Sequence, residues 1–145
     1  MLEKMKALVR GKDICVLSTV SQDATPHCSL MAYVADEECS EFYMATYNST
    51  MKYKNLLNNP AVSLLIDSRE AMPRQQAQAL TVSGVFQPID DEHKRDRAEA
   101  QLLIQHPHLK DFIENPDTSM ICIKVQSFLL IDGLTDSHFV NLKEI

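Results

Sequence analysis

The stretch Ile14-Cys-Val-Leu-Ser-Thr-Val20 is β-branched and apolar on both faces of an extended chain, and such a strand suits a sheet covered on two sides. The pattern recurs along the chain. His27 to Ala35, Glu41 to Thr46, Ala61 to Asp67, Gln78 to Pro88, Ser119 to Val125 and Phe128 to Asp132 all read as strands. Many of the gaps are turn chemistry of hairpin length, as in Ser21-Gln-Asp-Ala-Thr-Pro26 and Asp36-Glu-Glu-Cys-Ser40. About seven strands joined in this way predict a mainly β fold, an antiparallel barrel or sandwich with short flanking helices. A closed barrel with strands apolar on both faces needs cover on its outside, so a homodimer is expected.

Helical spacing of Leu2, Met5, Leu8 and Val9 predicts a helix over residues 2 to 10, ending at Gly11. The chain from Tyr43 to Pro60 reads as a strand, a polar turn from Tyr47 to Thr50, and a short helix closed by Asn58-Asn-Pro60. Tyr53, Leu56 and Leu57 are its expected buried face. Asp90 or Asp91 caps a helix running to Ile104, and Leu109, Phe112 and Ile113 mark a further helical turn before Pro116. Ser68 to Gln76 is an exposed loop, Gly84 marks a bulge or a bend, and Gly133 turns the chain into a tail. With no repeat and no linker, residues 1 to 145 are expected to form one domain.

Composition excludes several classes. A net charge of −6 with no basic stripe argues against nucleic-acid binding. The apolar runs are too short to span a bilayer. The start Met-Leu-Glu-Lys-Met-Lys lacks the apolar block of a signal peptide, so a cytoplasmic protein is expected. Cys15, Cys28, Cys39 and Cys122 are scattered without a Cys-x-x-Cys pair, which reads as free thiols rather than zinc ligands.

The most informative candidate for function is the helix start at Thr50. Such a start leaves backbone N–H groups unpaired and favours an anion such as a phosphate. Ser49, Thr50 and Lys52 add hydroxyl and ammonium donors at the same spot, although Ser49 or Thr50 can equally serve as a plain cap. Other residues carry weaker signals. His27 reads as a half-buried strand residue, His106-Pro-His108 as a helix-end turn, and Cys28 as a thiol near the site. Tyr33, Tyr43, Tyr47 and Tyr53 are expected to cluster around the site, where they could stack on a flat ring.

Taken in order, Val16-Leu-Ser-Thr-Val20, Thr25-Pro-His27, Glu41-Phe-Tyr43, Lys52 with Asn58-Asn-Pro-Ala-Val-Ser-Leu-Leu65, and Val82-Ser-Gly84 resemble the pyridoxamine 5′-phosphate oxidase-like, FMN-binding split β-barrel family. The resemblance is close from Ile14 to about Pro88 and architectural beyond. It implies a homodimer with two flavins at the subunit interface, each touched by both chains. It places Ser29, Leu30, Met31 and Ala32 on the strand beside the flavin, and Ala45 and Thr46 beside its phosphate. Ser49, Thr50, Met51 and Lys52 fall at the helix start that receives the phosphate. Gln78 lies next to the position, here Ala79, of a Gln that approaches the ring.

Several cations of the oxidases are replaced. Ser29 stands where they carry a phosphate-binding Arg, Val34 where they carry a Lys near the ring, and Met51 where an Arg precedes Lys52. Lys52 is thus the one cation the resemblance leaves at the phosphate. The C-terminal Trp and Arg that hold pyridoxal phosphate have no counterpart, which argues against pyridoxine-phosphate oxidation. The resemblance therefore implies an FMN-dependent oxidoreductase using NAD(P)H or a similar donor on a small molecule. A non-catalytic flavin or haem module stays open as well, the latter through His138, since some relatives use a C-terminal His for haem. So does a cofactor-free structural dimer.

Overall fold

The computed structural model describes residues 1–144. Eight strands form one sheet: β1 (Ile14–Val20), β2 (Pro26–Ala32), β3 (Val34–Ala35), β4 (Glu41–Tyr47), β5 (Ala61–Asp67), β6 (Gln78–Gln87), β7 (Thr118–Asp132) and β8 (Asp136–Asn141). Four helices flank it: α1 (Leu2–Gly11), α2 (Met51–Asn58), α3 (Glu92–Gln105) and α4 (Lys110–Glu114). The strand order is β2-β1-β5-β6-β7-β4-β3, with β8 added beside the second half of β7. All pairings are antiparallel. The sheet is mainly β structure curled into a half-barrel, as the strand pattern predicts.

Burial alternates along the central strands because successive side chains point to opposite faces. Leu17, Leu64, Ile66, Leu80, Val82, Ile123, Phe128 and Leu130 face inward and are fully or almost fully buried, and Met5, Leu8 and Val9 of α1 close the same core. Covered by α3, a smaller cluster of Tyr43, Ile89, Ala98 and Cys122 lies against the other side of β4 and β7. There the Glu41 carboxylate accepts from Lys94 Nζ at 2.7 Å, Cys122 Sγ at 2.9 Å and the Tyr43 hydroxyl at 3.3 Å. Asn55 Nδ2 donates to Thr19 Oγ1 at 3.1 Å between two buried side chains, fixing α2 on β1. A net gain of about 1 kcal/mol is typical for such a bond.

Four expectations need correction. Ser119 to Val125 and Phe128 to Asp132 are one strand of 15 residues, not two. The gap at Gln126-Ser127 is a bulge instead: Ser83 pairs with Ser127 and Gly84 with Val125, leaving Gln126 as the extra residue. The segment after Gly133 is no tail, because Ser137 to Asn141 pair with Ser127 to Ile131. In α2 the buried residues are Asn55 and Leu56, whereas Leu57 is exposed. Finally, His27 to Ala35 is interrupted at Tyr33, whose N–H bonds to Asp13 and whose hydroxyl donates to the Val9 carbonyl at 2.6 Å.

Candidate functional site

The turn after β4 is held from two sides. Asn48 N–H donates to the Asp117 carbonyl at 2.8 Å, and the Ser119 hydroxyl donates to the Asn48 side chain. Thr50 is the N-cap of α2. Its Oγ1 donates to the Tyr47 carbonyl at 3.0 Å and accepts the Tyr53 N–H at 3.3 Å. Because that single hydroxyl proton is used at Tyr47, Thr46 is the donor in the 2.9 Å contact between the two threonine oxygens. Thr46 is buried, and its bond to Thr50 ties the end of β4 to the cap.

The cap satisfies Tyr53, and Lys54 N–H reaches the Thr50 carbonyl. At the first two helical positions, Met51 and Lys52, the N–H groups meet no acceptor among the described residues. Met51 borders a cleft lined also by Ser49, Thr50, Lys54, Asn55 and Asn58 and, from the β1–β2 turn, by Ser21, Gln22 and Asp23. Its volume of about 650 Å³ is that of an ordinary ligand pocket. Asp23 stays ionised: hydrogen bonds from Ser21 and then Thr25 hold its carboxyl below the usual carboxylate range.

Two placements at this site differ from the sequence reading. Lys54, not Lys52, lines the cleft, while Lys52 is half-buried at the same helix start. Its signal was available: Lys54 stands four residues after Thr50 and three after Met51, on one helical face with Asn58. The tyrosines do not cluster around the site. Tyr33 is a core residue tied to α1, Tyr43 belongs to the Glu41 network, Tyr47 packs edge-on against Phe112 at 4.7 Å, and Tyr53 against Phe86 at 6.3 Å.

On β2, Ser29 pairs with Leu17, Leu30 with Val16, Met31 with Cys15 and Ala32 with Ile14. Alternation splits this quartet. Leu30 stands 72% exposed on the outer face, and Met31 is buried in the core. Ala45 pairs with Met120 on β4. Gln78 lies at the opposite end of β5 and β6 from α2, roughly 20 Å of strand away. There its amide donates to Asp132 at 3.5 Å. One chain therefore does not bring Gln78 to the helix start.

Among the histidines, His106 is buried with Nε2 donating to the Tyr33 carbonyl at 2.9 Å, and His138 stands opposite Leu130 on β8. His27 pairs with Thr19 beside the β1–β2 turn. The thiols of Cys15, Cys39 and Cys122 are buried and that of Cys28 is exposed, its Sγ 3.4 Å from Ser18 Oγ. Among the described residues no group of three or more His, Cys, Asp or Glu could hold a metal ion. Among the described residues no helix is long and apolar enough to cross a membrane.

An antiparallel sheet curled into a half-barrel, with a capped helix start closing one end, defines a split β-barrel protein. The family model for pyridoxamine 5′-phosphate oxidase matches residues 1–132, and the chain belongs to that family. Similar solved structures include a haem-binding protein from Mycobacterium smegmatis, with a TM-score of 0.85 and 19% identity over 96% of this chain. General Stress Protein 26 from Bacillus anthracis str. Sterne has a TM-score of 0.72 and 24% identity, covering 97% of each chain. HutZ, the haem storage protein from Vibrio cholerae, has a TM-score of 0.70 and 16% identity over 94% of this chain and 92% of its own. This chain spans 57% of the mycobacterial protein. These likenesses establish the fold. No curated protein matches the sequence significantly.

Proposed function

We propose that the chain binds FMN, with the phosphate at the start of α2, and works as a flavin-dependent oxidoreductase on a small molecule. The observation that carries this reading is the start of α2, where the N–H groups of Met51 and Lys52 meet no acceptor among the described residues and where Ser49, Thr50, Met51 and Lys54 line a cleft. A phosphate monoester carries nearly two negative charges, and helix N–H groups with adjacent ammonium donors are suited to it. Lys54 supplies a second cation where the family's Arg is replaced by Met51. The residues present therefore fit the group. FMN would supply hydride and electron chemistry. The protein's share is to anchor the phosphate and to exclude water from the ring.

The second half of the site is expected from another copy of the chain. On the outer face, Leu30, Val16, Leu65, Thr81, Leu129 and Phe139 form one register row across six strands. Leu30, Leu65 and Phe139 are 72%, 38% and 63% exposed, and Ile14 and Ile131 extend the patch. A contiguous apolar patch of this kind marks an interaction surface. Packing two such faces would let Gln78 of one protomer approach the flavin anchored on its partner. Leu65→Arg, in the middle of the row, should convert a dimer to a monomer in sedimentation equilibrium; a wild-type protein that is monomeric at high concentration would refute the arrangement.

Fluorescence titration tests cofactor binding directly. Wild type should quench FMN, Lys54→Ala should weaken binding about tenfold, and Lys52→Ala with Lys54→Ala about a hundredfold. Failure of the folded wild type to bind FMN sinks the proposal. A haem reading is favoured by the two structural neighbours described as haem-binding and haem storage proteins. Its signature would be a Soret band with added haemin that is lost in His138→Ala.

A further inference from the structure

A second cleft, of about 570 Å³, lies where α2, α3 and α4 meet the end of β6 and the start of β7. Its volume is that of a pocket for a small organic molecule. Buried Phe86 and Ile113 and half-buried Tyr53 and Met120 make the apolar part of the lining, with the Tyr53 and Phe86 rings edge-on at 6.3 Å. The charged part is Asp90, Glu99 and Glu114 against a single cation, Arg95. Arg95 and Glu99 stand four residues apart on α3, a spacing that suits an ion pair. They do not form one. The Arg95 guanidinium donates instead to the Ile89 carbonyl at 3.1 Å, and Glu99 has no hydrogen bond or ion pair among the described residues. Glu114 reaches only Lys110, at 3.9 Å on its own helix. Half-buried and unpaired, the Glu99 carboxyl is held above its ordinary pKa by burial and then by Asp96, with Arg95 acting the other way. A cation arriving at this carboxylate offsets that cost.

We infer that this cleft binds a small organic ammonium ion, with the nitrogen at the Glu99 carboxylate and an apolar body against Phe86, Ile113 and Met120. Three carboxylates against one guanidinium give the lining a net negative charge, which selects a cation over an anion. An ammonium beside a carboxylate makes a charge-assisted hydrogen bond, and Tyr53 in the same lining supplies a π system of the kind that attracts cations. The apolar lining gives nothing to a hydrated metal ion and favours a ligand that carries carbon. The inference is independent of the FMN reading, because this cleft shares no lining residue with the one beside Lys54.

The probe is phenethylamine, with phenethyl alcohol as its uncharged match and phenylalanine as the same ammonium and ring with a carboxylate added. Binding to the full chain is followed through the methyl NMR signals of Ile113 and Met120. The amine should shift both signals saturably and bind about tenfold more tightly than the alcohol, the usual gain from a charge-assisted hydrogen bond. Glu99→Gln, which keeps the shape of the side chain, should bring the amine down to the level of the alcohol with the melting midpoint unchanged. Phenylalanine binding as tightly as the amine, and weakened by Arg95→Gln, would mark an amino acid as the ligand; weaker binding of phenylalanine would mark a plain amine. No saturable shift with the amine, equal affinity for amine and alcohol, or undiminished binding by Glu99→Gln overturns the inference.

Discussion

Gly84→Ala should lower stability by about 2–3 kcal/mol, the cost of forcing extra volume into a packed interior. A Cβ at this position would lie 2.7 Å from Ile123 Cγ2 and 2.7 Å from the Lys124 carbonyl oxygen. The isoleucine methyl can rotate away; the carbonyl cannot move without shifting β7 in its ladder. Gly84 also sits where the β6–β7 register slips by one residue, so the strain falls on the bulge that keeps β7 continuous. The melting midpoint should drop by roughly 8 °C. An unchanged midpoint would mean that the bulge has slack to give.

The second large effect is expected at Glu41. Removing it by Glu41→Ala leaves the Lys94 ammonium, the Cys122 thiol and the Tyr43 hydroxyl without their shared acceptor, at a cost of about 2 kcal/mol, because the network is partly open to water. The pH dependence follows from the carboxyl itself. Burial alone would raise its pKa, but hydrogen bonds from Cys122 and Lys94 outweigh burial and lower it. The stabilisation is therefore complete above the ordinary glutamate pKa and is lost as pH falls through the lower, folded value. Urea midpoints measured between about pH 7 and pH 3 should show a steeper acid loss for wild type than for Glu41→Ala. Parallel curves would show that Glu41 contributes nothing that depends on its charge. Cys122 responds in the opposite sense: burial, then its bond to Glu41, pushes the thiol up to about 12, so it remains a protonated donor at neutral pH.

Local chemistry made much of this fold legible. β5 spans Ala61–Asp67 as its alternation implies, α3 is capped by Asp91, and Gly84 does mark a bulge. These features depend on neighbours in sequence. What was not legible depends on neighbours in space. Ser137-His-Phe-Val-Asn141 has little strand character of its own and becomes a strand because β7 offers it a free edge. Gln126-Ser127 reads as a gap between two strands until β6 fixes the register. The helix start was visible from Thr50 and Lys52, yet the side chains that face it were not: Asp23 arrives from the β1–β2 turn, and Gln78 is carried to the far end of the sheet. Tyr33 and Tyr43, close in sequence to the site, are claimed by other parts of the core.

The position of β4 has a consequence for the order in which the chain can assemble. Its full-length partner is β7, which begins at Thr118, whereas β3 offers it only a two-residue ladder. As the chain leaves the ribosome, β1, β2, β5 and β6 can already pair among themselves. β4 must wait for some seventy further residues, with its apolar side chains Phe42 and Met44 still unmatched. The delayed closure of this long loop is the slow step that topology imposes, and the waiting edge is where a nascent chain of this protein is most open to chaperone capture or to pairing with a neighbour.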